Sequence, residues 1–423
     1  MDFRTLPAVA RLRLENLRAP ACLLGAQGDL VPFAVTLENG HLSDAPAETT
    51  VDMGGALVLP AFVDAHTHLD KGHIWPRRPN PDGTFFGALN SVAEDRRARW
   101  SAEDVRRRAD FALRCAFAHG ARAIRTHLDS LPPQGAISWP VFRDLRAEWA
   151  GRIDLQASCL SGVDFVDDTP EFHALARLVA DSGGVLGTVT YPVPDIDRRL
   201  DLFFETAGKL GLAADFHSDE TLDPNSRTLA AIARAVERTG FDGPVVAGHC
   251  CSLSTQPEAE ALATLDAVAR AGIDVISLPM CNLFLQDRTP GRTPRNRGVT
   301  LVHEMVERGI RVAFASDNTR DPFYAYGDLD MAEVLREATR IAHLDHSRDD
   351  WIRAFTTTPA AICGFDAPSL APGAPADLVI FRARSWNELL SRPQSDRIVI
   401  RAGRQIDRTL PDYAELDDLM ETA

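Results

Sequence analysis

The sequence lacks what would carry a chain into a membrane, out of the cell or onto a nucleic acid. No apolar run approaches the ~18 residues of a membrane span. The opening Met1-Asp2-Phe3-Arg4 has no basic stretch followed by an apolar core, so no secretory leader is expected. Positive charge is in deficit: 45 Lys and Arg face 60 Asp and Glu, a formal net charge of −15. That balance argues against nucleic acid and anionic membranes as partners. Cysteine supplies neither a disulfide framework nor CxxC zinc binding. Cys22, Cys115, Cys159, Cys250, Cys251, Cys281 and Cys363 are odd in number and unsuitably spaced. Cys250 and Cys251 follow a strand-end His, but neighbours on a strand point to opposite faces, so both read as buried thiols. These absences together place the chain in the cytoplasm. No internal repeat or low-complexity tract stands out.

What is present suits one large catalytic domain with a small satellite. The chain has 423 residues, 45% of them hydrophobic and 25% charged, the ordinary balance of a soluble globular protein. Before residue 57 there are only short apolar runs, such as 21–24 and 33–37, broken by Gly, Asn and Pro, which read as short strands with turns. Runs at 376–381 and 397–403 answer them from the other end. Neither end can bury a core alone, so residues 1–56 and 366–423 are expected to pair into one small β-sandwich domain. The acidic stretch 412–423 reads as a surface segment. Between the ends, eight apolar runs alternate with helical patterns: 57–65, 121–126, 153–159, 185–190, 212–216, 244–247, 273–278 and 311–315. Eight βα units over residues 57–365 predict an α/β fold, a TIM-type (β/α)8 barrel. An open doubly wound sheet is the alternative, weakened because no Gly-rich phosphate loop follows the first strand.

The first of these runs ends Asp64-Ala65-His66-Thr67-His68. Residues i and i+2 on a strand share a face, so two imidazoles stand side by side. A His-x-His pair alone is weak evidence. In a barrel, however, strand C-termini converge on one face. The fifth strand ends at His217, the sixth at His249 and the eighth at Asp317. His66, His68, His217 and Asp317 would then hold one divalent ion and leave room for water. Glu220, just past His217, is placed to move a proton between that water and a leaving group. His249, not needed as a ligand, would polarise a substrate atom. His127 and Asp129 end the second strand and read either as pocket lining or as a structural pair. His303, His343 and His346 suggest no site.

These residues resemble the amidohydrolase superfamily, and more closely its cytosine deaminase branch. The likeness is carried by Phe62–Asp70, Arg125–Asp129, His217–Glu220, Asn282–Arg288 and Asp317–Pro322. Asp70-Lys71 and Ser316-Asp317-Asn318 are also similar to N-isopropylammelide amidohydrolase. The resemblance implies a barrel with a β-sandwich and one zinc or iron ion. It implies hydrolytic attack on an sp² carbon bearing an amino group. Asp317 would take the water's proton, Glu220 would shuttle protons and ammonia would leave. The pocket departs from the cytosine pattern. The position of the pyrimidine-reading glutamine falls on Gly162, or on Ser161 in the neighbouring register. Asn318 stands where a second aspartate is usual, and Phe323 where Trp is usual. A small amino-heterocycle other than cytosine, larger or N-alkylated, is therefore the expected substrate. The expected partners are that small molecule and further copies of the chain in a homo-oligomer. A hydantoinase-like cyclic amidase would need a bridging lysine at the end of the fourth strand, where Val189-Thr190-Tyr191-Pro192-Val193 has none. A metal-free binding scaffold should have lost ligands, and none is missing.

Overall fold

The computed structural model describes residues 2–347, 350–393 and 396–421; Met1, Thr422 and Ala423 of the segments named above lie outside them. Four strands open the chain: β1 (Arg11–Pro20), β2 (Leu30–Glu38), β3 (His41–Ser43) and β4 (Thr49–Pro60). Eight more follow: β5 (Phe62–Thr67), β6 (Ala121–Asp129), β7 (Asp154–Leu160), β8 (Leu186–Thr190), β9 (Ala214–Ser218), β10 (Val245–His249), β11 (Asp274–Ser277) and β12 (Val312–Phe314). β13 (Leu378–Phe381), β14 (Arg397–Arg401) and β15 (Arg404–Gln405) close it. The eight middle strands lie parallel in two sheets, β5-β6-β7 and β8 to β12 in order. Parallel bridges Ser158–Val185 and Gly162–Val189 join the sheets on one side, and Thr67–Asp317 on the other. Helices cross between them, beginning with α1 (Phe85–Arg99) and α2 (Ala102–His119). All nine residues of β6 are buried, the mark of a parallel strand covered on both faces.

The two ends of the chain meet in one seven-stranded sheet, β15-β14-β13-β4-β1-β2-β3. Its core is separate and draws on both ends, with Leu14, Val35 and Leu37 packed among Leu378, Ile380 and Ile398. Two readings of the sequence change here. Ala21–Leu24 is a turn of 3-10 helix, ended by Gly25 at φ 65°, and not a strand. Leu57–Pro60 belongs to β4 and pairs with β13, so the middle strands begin at Phe62. The switch falls between neighbours: Ala61 N–H still donates to Asp377 O, just before β13, and Phe62 N–H donates to Gly120 O, just before β6. Gly120, after α2, has φ 100°, and a Cβ there would lie 2.5 Å from Val379 Cγ2, so glycine lets the terminal sheet approach the start of β6.

The acidic stretch near the end is clasped by arginines. Asp412 and Glu415 form a capping box over a short turn. Arg107 of α2 grips Asp418 at 2.6 and 2.7 Å, Arg114 grips Glu415, and Leu416 packs on Phe111 and Cys115. Buried Arg77 donates to Asp95 of α1, Asp104 of α2 and the carbonyl of Leu419. This ties α1, which walls the cavity described below, to the loop after β5. No described helix is long and apolar enough to cross a membrane.

Candidate active site

The C-terminal ends of β5, β9, β10 and β12 converge on one buried cluster. His66 lies on β5 and His68 one residue beyond it; His217 is on β9, His249 ends β10, and Asp317 follows β12. The Asp317 N–H donates to His66 O at 2.9 Å, stitching the last strand to the first. Buried Asp64 accepts from Ser316 beneath it, and burial pushes its carboxyl up to about 6. His249 has φ 67° and Asp317 φ 63°. Left-handed backbone at non-glycine residues costs about 1–3 kcal/mol each and collects at functional sites.

Four ligand-type atoms face a common point. The Nε2 atoms of His66 and His217 are 3.1 Å apart, and those of His217 and His68 are 3.3 Å apart. Asp317 Oδ1 is 3.2 Å from His68 Nε2 and 3.6 Å from His66 Nε2. Bonds of about 2.0–2.2 Å to one central ion put ligands roughly 3–3.6 Å apart, so the spacing fits a single divalent cation. Burial, then the crowd of imidazoles and Lys71, hold His66, His68 and His217 well below their ordinary range. Neutral imidazoles are what a metal requires. Burial pushes Asp317 up to about 7, an effect that a bound cation reverses. His127, whose ring centre is 3.9 Å from that of His66, is within reach of the cluster, but its Nε2 lies 3.2 Å from Asp215 Oδ1. Its buried partner is thus Asp215, and not Asp129.

Glu220 and His249 stand beside this cluster. Glu220 Oε1 is 3.5 Å from His249 Nδ1, and the amide of Asn282 reaches both. Burial and the neighbouring Asp317 push Glu220 well above the usual carboxylate range. Asp219 is a staple: its carboxylate accepts from Ser226, Thr228 and Leu229 and fixes the loop that carries Glu220. Cys250 and Cys251 are buried free thiols. His346 is exposed, and His303 bonds the carbonyl of Ala342.

A cavity of about 600 Å³ opens from the cluster. Ser161, Gly162, Asn318 and Phe323 all line it. A Cβ on Gly162 would lie 2.4 Å from Asp164 Oδ1 and 2.7 Å from the Tyr191 hydroxyl, so the missing side chain makes room for the Tyr191–Asp164 pair at the mouth. The Asn318 amide donates to Asp321 at 2.7 Å, which ties one of its N–H groups to the loop. Phe323 forms an apolar wall with Phe85, rings 5.6 Å apart edge to face. The largest omission of the sequence reading is Lys71. It is 4% exposed, lines the cavity, and lies 3.3 Å from Asp129 Oδ1, whose other oxygen accepts from Arg96 at 2.6 Å. A signal was there to be read: Lys71 is one of only two lysines among 45 Lys and Arg residues, and it stands three residues after His68. The end of β8 offers Thr190 and Tyr191, with no lysine to bridge two metals.

Residues 168–407 match the model of a family described as the amidohydrolase family. The chain is 54% identical over 432 aligned positions to a pterin deaminase from Rhizobium rhizogenes, covering 99% of both proteins. The solved structure of 5-methylcytosine deaminase from Klebsiella pneumoniae with 5-fluorocytosine superposes with a TM-score of 0.81 at 27% identity, over 95% of this chain and 98% of that one. N-isopropylammelide isopropylaminohydrolase from Burkholderia multivorans gives 0.72 at 26% identity, over 94% and 98%.

Proposed function

The chain belongs to the amidohydrolase family, and on that premise we propose that it deaminates a fused two-ring amino-heterocycle of the pterin type. It is a metal-dependent hydrolytic deaminase of heterocycles, acting on a carbon–nitrogen bond. The observation that carries the two-ring substrate is the likeness to a pterin deaminase along the whole chain. The cavity supports it: about 600 Å³ is more than a single pyrimidine ring needs.

We read the two parallel sheets as one closed (β/α)8 barrel, a reading the bridges between them support. The terminal sheet, with its own core, we read as the small sandwich domain, and the division falls at Ala61. Seven free cysteines support a reducing, cytoplasmic setting.

His66, His68, His217 and Asp317 would hold one divalent ion, zinc or iron. Such an ion supplies a water acidic enough to serve as nucleophile at neutral pH. Asp317 would take a proton from the attacking water. Glu220 carries protons to the ring nitrogen and to the departing amine, which leaves as ammonia. His249 donates to the ring atom where charge develops. Lys71, braced by Asp129, donates to the exocyclic oxygen one ring nitrogen away from the reacting carbon, while Phe323 and Phe85 cover a face of the ring.

Ammonia release from 2-amino-4-oxopteridine and from cytosine tests this reading. The pteridine should be turned over well and cytosine poorly; efficient release from cytosine alone would overturn the two-ring assignment. Lys71→Met removes one charge-assisted hydrogen bond, worth about 1.5–3 kcal/mol, so kcat/KM on the pteridine should fall roughly 10–100-fold. An unchanged kcat/KM would remove Lys71 from the substrate's contacts.

A further inference from the structure

We propose that Asn282 is a positioning residue that sets which atoms of His249 and Glu220 carry protons. Asn282 is 1% exposed and sits in the short helix Pro279–Leu285, which follows β11. Its Nδ2 lies 3.0 Å from His249 Nδ1 and 3.5 Å from Glu220 Oε1. A side-chain amide nitrogen has two hydrogens, and here each has an acceptor. A hydrogen bond received at Nδ1 fixes the neutral ring as its other tautomer, with the proton on Nε2. Nε2 is buried and without a hydrogen-bond partner among the described residues, and His249 lines the cavity. His249 is thereby set as a donor toward the substrate.

The second hydrogen engages Glu220 Oε1 and leaves the other carboxyl oxygen to carry the moving proton. Asn282 also prevents a short circuit. His249 Nδ1 and Glu220 Oε1 are only 3.5 Å apart. Without a donor between them, the ring would turn its proton to Nδ1 and close on the carboxylate, leaving Nε2 as an acceptor. The donor to the substrate and the proton carrier would be lost together. Asn282 is not among the residues lining the cavity, so its effect falls on turnover and not on substrate binding.

The inference rests on Glu220 and His249 being the catalytic pair. The test uses the metal-loaded full chain labelled with 15N-histidine, the His249 signals being identified by difference against His249→Asn. Wild type should show His249 protonated at Nε2 alone. Asn282→Leu, close in shape and without a donor, should move the proton to Nδ1, keep its metal and KM, and lower kcat about 10–100-fold, the scale for partners that orient a working side chain. Asn282→Asp keeps the shape if the leucine variant does not fold. Its carboxylate should draw a proton onto Nδ1, giving a doubly protonated ring and a comparable loss of kcat. A variant that keeps the wild-type tautomer signature, or kcat within threefold, overturns the inference. Wild-type turnover in both Glu220→Gln and His249→Asn would instead defeat the underlying assignment of the pair.

Discussion

Glu220→Gln is expected to bind its metal and to lose a factor of ~10² or more in turnover, the range for removal of a general acid–base group. The substitution keeps size and shape, so the contacts with Asn282 and the loop stapled by Asp219 should persist. What it removes is the proton. Burial and the adjacent Asp317 hold Glu220 well above the usual carboxylate range, so it keeps a proton more readily than an exposed carboxyl. An amide in the same place can neither give a proton to the ring nor collect one. Metal content by elemental analysis and single-turnover rates are the two measurements. A variant that loses its metal would show Glu220 to be a ligand, and one with unchanged turnover would end its role as proton carrier.

A larger loss is expected for Asp317→Asn, because Asp317 carries two duties. Its Oδ1 lies within 3.6 Å of His66 Nε2 and 3.2 Å of His68 Nε2, and in the proposed reaction the carboxylate would also take the water's proton. Asparagine is isosteric, and neither carboxylate oxygen has a hydrogen-bond partner among the described residues, so the fold should tolerate the change. A neutral amide oxygen is a poorer ligand and cannot accept that proton. Metal content should fall well below one ion per chain and turnover by ~10³ or more, since electrostatic and metal contributions fail together. Full metal occupancy with wild-type turnover would remove Asp317 from the centre.

The sequence carried the site further than it carried the fold's edges. The period of two in His66-Thr67-His68 and the strand ends at His217, His249 and Asp317 are local signals, and the structure brings all five residues together. Lys71 and Asn282 were harder. Lys71 acquires its meaning from Asp129, which lies on another strand, and from the wall of α1. Asn282 acts on His249 and Glu220, 33 and 62 residues away. No pattern along the chain encodes such crossings. The run 57–65 read as one strand because its hydrophobicity is continuous; its backbone passes from one sheet to the other between Ala61 and Phe62. The acidic stretch read as surface, and its carboxylates are exposed; what their charges alone did not show is that Arg107 and Arg114 of α2 meet them there.

The terminal sheet has a consequence for the order in which the protein can be built. Leu59 of β4 pairs with Val379 of β13, about 320 residues later in the chain. A ribosome adding ~5–20 residues per second needs roughly 16–64 s to bridge that gap. During this interval the strands β1 to β4 can pair among themselves, but one edge of β4 has no neighbour. Leu57 and Leu59 on that edge belong to the larger core, while Val58 belongs to the smaller one. The first strands synthesised are therefore among the last to be completed. The nascent chain carries an open, apolar strand edge until its final tenth emerges, and an unpaired edge of that kind is where a growing chain is most exposed to the wrong partner.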